Sequence, residues 1–212
     1  MKPVVIIGTG PAGLMAADVI SAAGHPVEIF DAMPSPGRKL LRAGVGGLNL
    51  THNEPSERFV TRYGAAKNTV ARWLSEFGQE SVRTFAHELG SETFVGSSGR
   101  VFPVQMKAAP LLRAWLRRLE ARQVRLHLRH RWLGWAPDGR LMFATPEGTH
   151  HSASDYPAAT LLALGGASWP RLGSDGAWAK VIAEQGVALS PFRPANGGFT
   201  VPWSAHLLAH AG

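Results

Sequence analysis

The run Val4-Val5-Ile6-Ile7-Gly8-Thr9-Gly10-Pro11-Ala12-Gly13 constrains this chain more than any other stretch. Four consecutive apolar residues suit a parallel strand covered on both faces. The glycines that follow have G-x-G-x-x-G spacing. Gly8 permits a tight turn, Gly10 lets a pyrophosphate approach the backbone, and Gly13 lets a helix pack close to the strand. Pro11 suits the first helical turn, where its missing N–H costs nothing. A helix starting there aims free N–H groups and the positive end of its dipole at the phosphates. Leu14, Met15, Ala17 and Val19 supply its apolar positions, and Gly24 is placed to stop it. Val27-Glu28-Ile29-Phe30-Asp31 predicts a second strand ending in an acid. A carboxylate there accepts the hydroxyls of an adenosine ribose and repels a 2′-phosphate, so the site disfavours NADP.

The rest of the sequence is ordered around that start. A long Gly-rich loop is expected from Met33 to His52, and such loops are usually functional or mobile. Helical patterns follow at Val70 to Phe77 and Glu80 to Leu89. Thr93-Phe94-Val95 and Val101-Phe102-Pro103 flank Gly96-Ser97-Ser98-Gly99 as a hairpin. Lys107 to Gln123 predicts an amphipathic helix with Leu111, Leu112, Trp115 and Leu119 on one side. Val124 to Leu128 opens a strand-rich meander with turns at Asp138-Gly139 and Glu147-Gly148. Ala159 to Leu164 reads as another buried strand, entering Gly165-Gly166-Ala167-Ser168, and Asp175 to Gln185 as a helix.

Composition narrows the partners. The formal charge is +7, from 22 basic and 15 acidic residues, and much of the excess is arginine between Arg113 and Arg131. No aromatic stacking motif accompanies it, so it reads as a solvated face rather than a nucleic-acid surface. No cysteine is present, which excludes disulfides, thiolate ligands and a dithiol relay and fits a cytoplasmic setting. The first 23 residues have the outline of a signal peptide, but Gly10-Pro11 breaks the apolar run and Asp18 charges it. No stretch approaches the length of a membrane span, so no membrane partner is expected. His127 and His130 fall on opposite faces of a predicted strand, as do His150 and His151. His206 and His210 share a helix face but lack a third ligand, so no metal site is expected. Ser168 and Ser174 lie in nucleotide-style loops outside any G-x-S-x-G elbow, and the sequence names no catalytic acid, base or nucleophile.

A Rossmann start, a β-meander and a second apolar strand ending in Gly165-Gly166 is the layout of two-motif FAD proteins. Further blocks sharpen the match: Gly37-Arg38-Lys39-Leu40-Leu41, Gly46-Gly47-Leu48-Asn49-Leu50-Thr51-His52, and Gly96 to Pro103. Leu164 to Pro170 and Gly173-Ser174-Asp175-Gly176 complete the set. Across nearly the whole chain these resemble bacterial NAD(P)/FAD-dependent oxidoreductases of the BaiN type. The resemblance implies an α/β, glutathione-reductase-like Rossmann domain with a β-meander and FAD as cofactor. It also implies NAD(P)H as electron donor and a small organic molecule as substrate. Gly8, Gly10, Pro11, Ala12 and Gly13 would cradle the pyrophosphate and Asp31 would hold the ribose. Lys39, Asn49, Gly165 and Gly166 would make secondary contacts.

Two departures bear on these expectations. Gly47-Leu48 stand where many relatives carry Arg-Cys, so any role resting on that cysteine is absent. Relatives also continue further, which implies an incomplete FAD-binding domain over residues 1–189. Residues 190–212 would then open an inserted substrate-side domain, with Phe199-Thr200-Val201-Pro202-Trp203 as its first strand. Such a fragment is expected to hold FAD poorly and turn over little. Three other readings stay open: a flavin monooxygenase, from the loose echo of a GD motif at Gly173 to Gly176; an RNA-modifying flavoprotein, from the arginines; and a non-catalytic nucleotide-binding remnant.

Overall fold

The apolar run at the N-terminus forms β1 (Val4–Ile7), which turns into α1 (Pro11–Ala22) and returns as β2 (Val27–Asp31). The structure is a computed structural model that describes residues 1–148, 150–152, 157–194 and 204. Next come α2 (Arg38–Ala43), β3 (Thr51–His52), α3 (Ser56–Phe59) and a 3-10 turn at Val60–Ala66. They lead to α4 (Lys67–Glu76), α5 (Gln79–Glu88), β4 (Thr93–Val95) and β5 (Arg100–Pro103). Then follow α6 (Ala108–Ala121), β6 (Arg125–Leu128), β7 (Arg131–Trp135), β8 (Leu141–Ala144) and β9 (His150–Ser152). The last described elements are β10 (Ala159–Leu162), a 3-10 turn at Pro170–Leu172 and α7 (Trp178–Glu184).

Four strands form a parallel sheet in the order β10-β1-β2-β6. The pleat sorts its side chains between two cores. Ile6, Val27 and Ile29 pack against Leu14 and Ala17 of α1 and Leu112, Trp115 and Leu119 of α6. Val5, Ile7 and Phe30 face the other way, onto Trp132, Leu141 and Phe143 of β7 and β8 and Ile182 of α7. Both faces are therefore covered, as the apolar runs predicted, and each fully buried large apolar side chain contributes about 1.5–3 kcal/mol. α1 and α6, the parallel sheet, and the antiparallel sheet β7-β8-β9 together with α7 make three layers, with β3-β5-β4 as a small separate sheet. A buried charge ties one layer together. Asp18 of α1 accepts Trp115 Nε1–H at 2.8 Å and an Arg122 guanidinium N–H at 2.6 Å, clamping α6 to α1.

The amphipathic helices and the turns at Gly96 to Gly99, Asp138-Gly139 and Glu147-Gly148 form where the sequence predicts them. Four expectations change. The loop over 33–52 contains α2, because Arg38 to Ala43 are good helix formers bracketed by Gly37 and Gly44. The strand at 125–128 does not open the meander. It follows α6, and a helical crossover returns it parallel to β2. The strand after residue 158 is shorter than expected and less buried. It lies at the sheet edge and leaves Leu162 36% exposed. His127 and His130 do not point apart. β6 stops at Leu128 and Arg129 adopts φ 58°, so the two rings lie 5.8 Å apart, both against Phe30. His206, His210, Phe199 to Trp203 and most of the expected 190–212 segment lie outside the described residues.

Candidate functional site

The strand order reverses at β1: the chain leaves it for β2 on one side, and β10 takes the other. In an open parallel sheet, ligands bind at such a reversal, beyond the carboxyl ends of the strands. A cavity of about 260 Å³ opens there, lined among others by Gly8, Thr9, Gly10, Asp31, Lys39 and Gly165.

The motif glycines are not equivalent. Gly8 has φ 112°, and a β-carbon on it would collide with the Ala163 carbonyl oxygen. It therefore serves the approach of β10 as well as the turn. Gly13 is buried, and a β-carbon there would overlap the Gly8 carbonyl oxygen. Among the described residues, nothing comes within 4 Å of the β-carbon position of Gly10, so it borders open space. The first turn of α1 starts beside that space with no side-chain cap, which leaves its leading N–H groups without intrahelical partners. Pro11 and Ala12 are exposed in that turn, outside the cavity lining.

Two polar groups flank the turn. Asp31, at the end of β2, accepts the Thr9 N–H at 2.7 Å and the Thr9 hydroxyl on Oδ2, and the Met33 N–H at 2.7 Å on Oδ1. Lys39, on α2, donates from Nζ to Ser174 Oγ at 2.8 Å, and buried Ser174 donates onward to the Gly166 carbonyl at 2.6 Å. An ammonium has three donors, so two remain after Ser174. Gly165 lines the cavity with φ 73°, and its carbonyl accepts Trp178 Nε1–H at 3.1 Å. Gly166 lies just behind it. Asn49 is exposed between α2 and β3 and does not line the cavity.

Sequence reasoning left Thr9, His130 and Trp178 without a role and gave Ser174 no partner. His130 lines the cavity, held by its N–H to the Asp31 carbonyl at 2.8 Å and by Nδ1 against the Leu128 carbonyl at 2.7 Å. Only Thr9 carried a usable signal, as a hydroxyl between two motif glycines. Charge is fixed nearby. Burial works against Asp175, but the Ala177 N–H and the Arg131 guanidinium at 3.2 Å hold its carboxyl below the usual range. Burial pushes His127 below the usual histidine value, against the pull of Glu28 and with the help of His130. Among the described residues, no three His, Cys, Asp or Glu side chains converge as a metal site, and no helix is long and apolar enough to cross a membrane.

The HI0933-like protein Rossmann domain matches residues 2–202. A relative from Clostridium scindens, a 3-dehydro-bile acid delta(4,6)-reductase, is 28% identical over 200 residues, covering 92% of this chain and 46% of its own. The chain thus spans a little under half that relative's length. Among solved structures, a flavocytochrome c3 fumarate reductase superposes with a TM-score of 0.56 at 17% identity, covering 78% of this chain and 34% of that one. The 3-ketosteroid-delta4-(5alpha)-dehydrogenase of Rhodococcus jostii RHA1 gives 0.54 at 15%, covering 78% and 46%. At those identities the likeness is one of fold.

Proposed function

Because this chain belongs to the HI0933-like Rossmann-domain family of FAD-dependent oxidoreductases, we propose that it holds FAD across the ends of β1, β2 and β10. We further propose that it serves NAD(P)H-dependent reduction of a small organic substrate. The observation that carries the reading is the open space at Gly10, set between two glycines whose β-carbons would collide. The residues present fit the group. The uncapped start of α1 would face the pyrophosphate at Gly10, Pro11, Ala12 and Gly13, and Lys39 would neutralise it. Asp31 would meet the ribose, and Gly165 and Gly166 would pass close to the nucleotide on the β10 side. Asn49 would contribute only if its segment turned inward. FAD supplies hydride transfer when bound, while the protein supplies position and electrostatics. The name of the Clostridium scindens relative supports the reducing direction, and the lack of cysteine supports a cytoplasmic setting.

Other observations weigh against two rivals. Asp175, the acid of the GD-like echo, is committed to Arg131 and Ala177. Within the arginine cluster, Arg118, Arg122, Arg125 and Arg131 each pair with a carboxylate, which discounts a nucleic-acid surface.

Titration of the purified chain with FAD, followed by flavin absorbance and tryptophan fluorescence, tests the proposal. Saturable binding is expected for the wild type. Gly10→Val should abolish it with an unchanged far-ultraviolet circular dichroism spectrum, because its side chain fills space that only a ligand would use. Equal binding by wild type and variant would remove the phosphates from this turn.

A further inference from the structure

Thr9 stands between the first two motif glycines, only 1% exposed, with its hydroxyl on the Asp31 carboxylate. We propose that this hydroxyl makes Thr9 a specificity-determining residue. It occupies one acceptor position of Asp31, so that a bound nucleotide engages the acid through one ribose hydroxyl instead of two. The inference rests on the nucleotide site proposed above.

A carboxylate offers about four acceptor positions, two on each oxygen. Oδ2 already takes the Thr9 N–H and the Thr9 hydroxyl, and Oδ1 takes the Met33 N–H. Among the described residues, no donor takes the second position on Oδ1. A ribose diol brings two hydroxyls, and the second can bind only by displacing Thr9. Displacement is unfavourable. The Thr9 backbone is held by its N–H to Asp31 and by its carbonyl, which accepts the Gly37 N–H at 3.0 Å. Gly8 N–H is in turn fixed to the Phe30 carbonyl at 2.7 Å. A freed Thr9 hydroxyl would therefore stay buried without a partner, and a charge-assisted bond would be exchanged for another of the same kind. The acid thus serves mainly to hold the glycine turn in shape and only in part to read the sugar.

Three nucleotides separate these roles: ADP, 2′-deoxy-ADP and 3′-deoxy-ADP, titrated by calorimetry and by tryptophan fluorescence. In the wild type, one deoxy nucleotide is expected to bind within about twofold of ADP, and the other about tenfold or more weaker, the loss of one charge-assisted hydrogen bond. Thr9→Ala removes the hydroxyl, leaves room beside Asp31 and frees one of the two occupied positions on Oδ2, the backbone N–H keeping the other. It should tighten ADP and make both deoxy nucleotides about tenfold weaker than ADP. Thr9→Ser keeps the hydroxyl and should follow the wild type. A wild type that loses tenfold with each deoxy nucleotide reads both hydroxyls, which overturns the role of Thr9 while leaving the site intact. A folded wild type that binds none of the three overturns the nucleotide site, and this inference with it. The wild-type comparison decides the matter even if Thr9→Ala fails to fold.

Discussion

Gly13 and Gly10 are three positions apart and respond in opposite ways to an added carbon. At Gly10 the space is empty. At Gly13 the added atom would meet the Gly8 carbonyl oxygen and come within 3.3 Å of Ile6 Cγ2, and the carbonyl belongs to backbone that cannot turn aside. Gly13→Ala must lift α1 off β1. Overpacking of this kind costs about 1–3 kcal/mol or more, so the variant should show a lower urea midpoint than Gly10→Val, which should unfold close to the wild type. These glycines and Asp31 are legible in the sequence because spacing alone gives them their places. Thr9, Ser174 and His130 are not legible in the same way. The partner of Ser174 lies on α2, and His130 reaches the cavity only because Arg129 takes a left-handed turn that nothing in its neighbours announces.

Between elements, the Asp18 clamp decides how α1 sits. Its carboxylate satisfies Trp115 and Arg122 of the α6 region in a site only 7% exposed. Asp18→Ala leaves the Trp115 N–H buried and unpartnered, a loss of about 1–3 kcal/mol. Asp18→Asn keeps an acceptor and should recover part of it, as denaturant midpoints would show. α6 itself is legible, since Leu111, Leu112, Trp115 and Leu119 recur at helical spacing and all are buried. Its partner is not, because Asp18 looks like any solvated charge on a short helix. The same limit applies to β6 and β10. An apolar run signals a strand but carries no mark of which sheet it joins or whether it ends at an edge.

For the molecule as a whole, pH reaches stability through His127. Its ring stacks on Phe30 at 4.3 Å, and burial holds its pKa below the ordinary value of 6.5, with the Glu28 carboxylate opposing. Unfolding returns it to that value, so between the two the unfolded chain binds more protons and stability rises with pH. The contribution is complete above about 6.5 and is lost as pH falls toward the folded value. Urea midpoints should therefore decline as pH falls through about 6.5, and His127→Phe should flatten that slope. Asp175, also held low, acts in a more acidic range. The pairing of β1 has a consequence in time. Val4 finds one partner at Val27 but the other only at Ala159. Chains emerge from the ribosome N-terminus first, so the outer edge of the most apolar strand waits, bare, until residue 159 has been made. Contacts that distant in sequence form slowly, and the cleft does not exist until they do. A nucleotide that binds only the closed form draws the chain into it. With the nucleotide proposed above, ligand supply during translation would then help to set how much protein survives to fold.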